Sequence, residues 1–274
     1  MSRAMKLLRR PRIGMLLLLA VILFVVSCST VAVTGRRQLI VIPQSQMMPM
    51  SFEQYEQVLQ ESTLSTDRAA ARRVKKVGVR IQNAVEEYFR EQGMSGELDG
   101  YEWEFNLIAS EQANAWCMPG GKVAFYTGIL PVCGDETGIA VVMGHEVAHA
   151  IAEHGSERMS QALIVQLGGV ALSEALNTKP EKTRELWLSA FGMGTQLGAM
   201  LPFSRLHESE ADHLGLIFMA MAGYDPAAAE SFWQRMADHG GGSPPEFLST
   251  HPANETRIRQ IREWLPEALT YYKP

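Results

Sequence analysis

The sequence predicts an α+β fold, mostly helical, with a small sheet ahead of one central apolar helix. Three observations carry this expectation. Two short alternating stretches, "YEWEFNLIAS" and "KVAFYTGIL", stand before residue 131. Almost everything after residue 136 has apolar residues at three-to-four spacing. With 46% hydrophobic against 20% charged residues, a chain of 274 can fill a sizeable core.

At the N-terminus, Arg3, Lys6, Arg9, Arg10 and Arg12 precede an unbroken apolar run from Ile13 to Val26. That is a basic segment and a hydrophobic segment of the secretory kind, short for a spanning helix of about twenty residues. "VVSC" then resembles a lipobox. It implies cleavage before Cys28, lipidation of that cysteine and attachment to a membrane through the anchor. The expected location is the bacterial envelope, periplasm-facing, with Ser29 favouring the outer membrane. Residues 1–27 read as the signal peptide, 28–50 as a tether without helical period, and 51–274 as one domain. Acidic residues outnumber basic ones by 30 to 25, and the body's one basic cluster is Arg72, Arg73, Lys75 and Lys76. No nucleic-acid partner is expected. Sequence separation alone does not say whether Cys117 and Cys133 are bonded.

Within the domain, Ser51–Gln92 predicts a long amphipathic helix with Val74, Val77, Ile81, Val85, Tyr88 and Phe89 on its apolar stripe. The stretch from Tyr101 alternates as a half-buried strand. Pro119-Gly120-Gly121 marks a turn, and a second strand follows. Helices are then predicted at 136–154, 157–176, 183–200, 204–222, 226–238 and 253–264, with breaks at "NTKP", "GYDP" and "GGGSPP". The apolar stretches 162–176 and 186–200 are too short and too interrupted to span a bilayer, so they read as core helices, with a hairpin covering a cleft as the alternative.

The chemistry concentrates in "VVMGHEVAHAIAEHG", residues 141–155. His145 and His149 are one helical turn apart, so both imidazoles leave the same face and can reach one zinc ion. Glu146 sits beside the first histidine, placed to take a proton from the attacking water and pass it to a leaving amine. A chance HExxH occurs on the order of once per hundred chains of this length, so context is required. A third ligand must come from elsewhere, because Ala152 and Gly155 occupy the positions where a metzincin has glycine and histidine. His154 does not replace it, facing roughly 140° away from His149 on a continuous helix. "SRLHESEADHLG", residues 204–215, offers Glu208 as ligand and Asp212 as the carboxylate that orients a histidine. Glu210 points elsewhere, and His207 and His213 are rival ligands.

"GHEVAHA" and "SRLHESEADHLGL", with "TGRRQL", "NAWCMPGGKVAFYTGIL" and "FLSTHPANETRI", together resemble the gluzincin metallopeptidases. That family includes the CAAX prenyl proteases, HtpX and the mitochondrial Oma proteases. The likeness covers nearly the whole chain after the leader and is strongest to the bacterial periplasmic and lipoprotein branch typified by LoiP and BepA, although no tetratricopeptide array follows. It implies a zincin-like domain with one Zn²⁺ per chain on His145, His149 and Glu208. Glu146 would be the general base and Asp212 a support. His251 in "STHP" would act at the metal, as an oxyanion stabiliser or as a latch. The edge strand at Asn114, Ala115 and Trp116 reads as the place where an extended substrate pairs. The expected function is zinc-dependent cleavage of misfolded or membrane-associated envelope proteins, with unfolded or exposed polypeptides as substrates. The competing class is a non-proteolytic chaperone or assembly factor for outer-membrane proteins, with its metal site latched.

Overall fold

The structure is a computed structural model and describes residues 28–177, 179–195, 201–239, 247, 251 and 255–274. The expected signal segment and positions 196–200 lie outside the described residues. The fold is α+β and mostly helical, as the residue pattern predicts. It opens with a two-stranded hairpin, β1 (Cys28–Thr30) and β2 (Arg37–Leu39), and a helix α1 (Gln44–Glu61). Residues 28–50, expected to be a tether without helical period, carry this hairpin and the first turns of α1. Strands of three residues give too little alternation to read, and Pro43 and Pro49 suggested a break, yet the first is the N-cap of α1 and the second lies inside it.

The long helix expected over 51–92 is two helices. After α1, the polar segment "STLSTD" supplies Asp67, whose carboxylate accepts from the amides of Ala69 and Ala70 and caps α2 (Arg68–Glu91). Cap-forming side chains compete with continued helix, which explains the break. The stripe Val74, Val77, Ile81, Val85 and Phe89 is buried against the rest of the core.

Three strands follow: β3 (Glu104–Ile108), β4 (Ala115–Met118) and β5 (Lys122–Tyr126). Their order is β3-β5-β4, with β5 parallel to β3 and antiparallel to β4, so β4 forms an edge. A short helix α3 (Leu130–Cys133) leads to α4 (Glu136–Ile151), capped by Asp135 through the amides of Thr137 and Gly138. Its interior is buried almost throughout. The remaining helices are α5 (His154–Ala175), α6 (Glu181–Thr195), α7 (Leu201–Met221), α8 (Ala228–His239) and α9 (Glu255–Thr270).

The outer turns of α5 and α6 pack on each other and not in the core, contrary to expectation. Val170 is 63% exposed and Leu186 70%. Apolar residues at helical spacing look the same in sequence whether a neighbour covers them or not. None of the described helices is long and apolar enough to cross a membrane.

The helices α4 and α7 approach most closely at Gly144 and Gly215. A Cβ added to Gly144 would lie 2.8 Å from the carbonyl oxygen of Gly215, and one added to Gly215 would lie 2.9 Å from the amide nitrogen of His145. Any side chain here forces the two helices apart. Gly215→Ala is expected to cost about 1–3 kcal/mol through overpacking. Thermal unfolding followed by circular dichroism should then show a melting temperature lowered by several degrees, at about 2–4 °C per kcal/mol.

Candidate metal centre

The regular turn of α4 sets His145 and His149 on one face, with their Nε2 atoms 3.1 Å apart. Across the glycine contact, α7 presents Glu208: Oε2 is 3.4 Å from His145 Nε2, and Oε1 is 3.3 Å from His149 Nε2. His251 arrives from the segment between α8 and α9. Its Nδ1 lies 3.1 Å from His145 Nε2 and 2.9 Å from Glu208 Oε2. One donor atom from each of the four residues falls within 4.8 Å of all the others. Tetrahedral zinc with bonds of roughly 2.0–2.1 Å has donors roughly 3.3–3.4 Å apart, so this set fits one Zn²⁺. Two or three imidazoles and a carboxylate are also the donor chemistry that zinc favours.

The outward nitrogens of the histidines fix which nitrogen is free. His145 Nδ1 is 2.9 Å from Asp212 Oδ1, which accepts its proton, and Nε2 faces the cluster. His149 Nδ1 meets His154 Nδ1 at 2.8 Å, and His154 Nε2 in turn meets Glu210 Oε2 at 2.9 Å. One tautomer assignment satisfies that chain: His149 donates to His154, and His154 donates to Glu210. Glu210 also accepts from Thr34 and, at 2.7 Å, from Arg36 Nε. Arg36 Nη2 donates at 2.8 Å to Glu157, which pairs His207 at 2.9 Å.

Glu210, His207 and His213 are thus apart from the cluster; His213 meets Glu267 near the surface. His154 faces away from the cluster-facing nitrogen of His149 but touches its other nitrogen. It can do so because α4 ends at Ile151 and the chain turns through Glu153 before α5 begins. Sequence reasoning gave no role to Arg257 or Arg36, although both lie in stretches that carried the family resemblance. Arg257 Nη2 donates to Asp212 at 2.6 Å, its Nη1 is 3.3 Å from Glu208, and its guanidinium lies 3.3 Å from the centre of the Trp233 ring. Only the fold brings "ETRI" beneath α4 and α7.

Electrostatics follow from this packing. Burial disfavours a charged Glu208, but His149 and the hydrogen bonds from the three histidines outweigh it and hold the carboxyl far below its usual range. Burial and Arg257 oppose a charge on His145, while Asp212 and Glu208 prevail and raise it to about 9. Burial drives His149 well below its ordinary value despite Glu208. Glu146 is 3% exposed, and its Oε1 is buried without a hydrogen-bond partner. Burial raises its pKa, only partly offset by His251 and His145. A carboxyl shifted upward is a better proton acceptor near neutral pH.

Ala115 and Trp116 belong to the edge strand β4, with Asn114 immediately before it accepting from Tyr126 through its carbonyl. The Phe247 amide donates to Ala113, and the His251 amide donates to Phe247, so these two residues are tied beside this edge. Cys117 and Cys133 are free thiols.

The supporting network sets an acid limit on stability. Burial, only partly opposed by Glu210, lowers His154 from 6.5 to about 4. Against burial, His154, Thr34 and Arg36 lower Glu210 from 4.5 to about 2. In both cases the unfolded chain binds protons that the folded chain refuses, so stability rises with pH. The His154 contribution is lost as pH falls from 6.5 through about 4, and the Glu210 contribution from 4.5 through about 2. Urea unfolding with chelator present should show both losses, and Glu210→Gln should flatten the lower one.

The chain matches Peptidase family M48 over residues 76–265. It is 41% identical to the mitochondrial metalloendopeptidase OMA1 of Schizosaccharomyces pombe over 177 residues, covering 64% of this chain and 50% of that protein. With the mitochondrial metalloendopeptidase OMA1 of Bos taurus it shares 30% identity over 92% of this chain and 49% of that protein. The beta-barrel assembly-enhancing protease of Escherichia coli is 30% identical over 58% of this chain and 34% of that protein. The chain therefore spans about half the length of the OMA1 relatives. Relatives aligned over nine-tenths of the chain are mitochondrial by name, which overturns the bacterial, lipid-anchored envelope location expected from the N-terminus. A basic, acid-free N-terminal stretch does not discriminate, since transit peptides too are Arg-rich and poor in acidic residues. The same relatives do not support the narrower bacterial branch. From the match over 76–265 and the agreement of its donor geometry, the chain belongs to peptidase family M48.

Proposed function

We propose that this chain is a zinc-dependent endopeptidase acting on unfolded or exposed segments of misfolded or membrane-associated proteins. The observation that carries the reading is the convergence of His145, His149, Glu208 and His251 on one point, with Glu146 beside it. Zinc, when bound, supplies Lewis-acid polarisation to the reacting water and carbonyl. His145, His149 and Glu208 would hold the ion, and Asp212 would orient His145 through Nδ1. Glu146 would receive the proton of the attacking water and return it to the leaving amine. The free edge of β4 would hold an extended substrate by main-chain pairing, which favours clients without fixed structure.

His251 completes the fourth corner of the donor set. A catalytic zinc site keeps one position open, whereas four protein donors close it. Withdrawal of His251 would therefore open the site; in the closed arrangement its Nε2 lies 3.5 Å from Glu146 Oε1. The same closed arrangement favours one alternative, a holding protein that binds unfolded clients without cleaving them.

Cleavage of an unfolded protein such as reduced casein separates the two readings. Glu146→Gln is expected to keep stoichiometric zinc and lose about 10²–10⁴-fold in turnover, the usual contribution of a general base. His251→Ala is expected to raise basal cleavage. Equal client protection by the wild type and Glu146→Gln, with no cleavage by the wild type or His251→Ala, would select the holding protein instead.

A further inference from the structure

A cavity of about 530 Å³ lies where the β1–β2 hairpin meets the body, at the C-terminal end of α4. That volume is in the range of small-molecule sites, roughly 300–1,000 Å³. Val31, Ile40, Phe89, Leu98 and Ile151 form apolar walls. Into this setting the fold brings Gln38, Glu97 and Glu153, and among the described residues no Lys, Arg or His lines it.

Gln38 is the informative group. It is only 4% exposed, and its Nε2 donates to Glu153 Oε2 at 3.3 Å. That bond fixes which end of the amide is oxygen. The oxygen, Oε1, is buried and has no hydrogen-bond partner. Leaving a buried acceptor unpaired costs about 1–3 kcal/mol, and such groups are few in native proteins. Glu153 adds a second cost. It holds φ 57° and ψ 28°, the one positive φ at a non-glycine among the described residues, and residues held in this region cluster at functional sites. Burial and neighbouring Glu97 also raise its carboxyl pKa, which describes a place short of positive charge.

We propose that this cavity binds a primary ammonium group carried on an apolar chain. The ammonium donates to the Glu153 carboxylate and, once the Gln38 side chain turns its buried oxygen toward the cavity, to Gln38 Oε1; Glu97 adds a second carboxylate beside them, and the apolar chain lies against Val31, Ile40 and Phe89. An anion meets two carboxylates. A neutral apolar molecule leaves Gln38 unpaired, and a hydrated divalent cation gains nothing from the walls. Two sources carry the required chemistry, a small amphiphilic amine and the free amino terminus of an apolar peptide. The site is independent of the peptidase reading, since none of its polar groups belongs to the donor cluster.

Isothermal titration of the full chain with n-octylammonium, 1-octanol, trileucine amide and N-acetyl-trileucine amide tests this. Octylammonium is expected to bind once per chain, at least tenfold tighter than octanol, and Glu153→Gln should weaken it at least tenfold. Glu97→Gln, in a surface turn, should weaken it several-fold and keeps the test available if Glu153→Gln does not fold. Trileucine amide binding that acetylation abolishes names the peptide terminus as the source; binding of octylammonium alone names the small amine. Equal binding of amine and alcohol, no binding of either amine, or amine binding that both variants leave unchanged would overturn the proposal.

Discussion

The contact of two glycines, Gly144 on α4 and Gly215 on α7, sets the distance on which everything else in the site depends. Two helices with side chains at their crossing lie about 8–10 Å apart, and larger residues widen that gap. Here backbone meets backbone, and an added Cβ at either position would come within 3 Å of the opposite main chain. A carboxylate side chain spans only a few ångströms. Glu208 therefore reaches both imidazoles of α4 because the backbones are this close, not because the side chain is long.

Closeness would be unfavourable without partners for the charges it gathers. Burying an unpaired ionised group is far costlier than burying an apolar one. The fold answers with two lines of support that leave the cluster in different directions. One runs from His145 through Asp212 to Arg257, which rests on Trp233. The other runs from His149 through His154 and Glu210 to Arg36, on the loop between β1 and β2. The N-terminal hairpin is thereby part of the site's electrostatics. Its removal would strand Glu210 and Glu157 in a buried setting with one cation fewer.

The parts of this arrangement that were legible in the sequence are local ones. A pair of histidines four positions apart needs only the geometry of a helix, as does the Glu208 and Asp212 pair. The apolar stripe of α2 follows from the same periodicity. Legibility fails where a three-dimensional neighbour decides. Nothing within a few residues of Arg257 or Arg36 says which carboxylate each will meet. Helical spacing keeps His154 out of the donor set but does not reveal its contact with the other nitrogen of His149, which arises because the left-handed residue Glu153 ends α4 and turns the next imidazole. The hairpin α5–α6 reads as core because composition records apolarity and not coverage. Location is not legible for a different reason: an N-terminal stretch of basic and apolar residues carries charge and hydrophobicity, and several targeting routes read those same two properties.

The most direct test of the account is X-ray absorption at the zinc edge of the zinc-loaded chain. Four nitrogen and oxygen donors at roughly 2.0–2.1 Å, with the outer-shell scattering of at least two imidazoles, is the expected result. A sulfur shell at roughly 2.3 Å, or a six-oxygen shell without imidazole scattering, would contradict a centre built by α4 and α7.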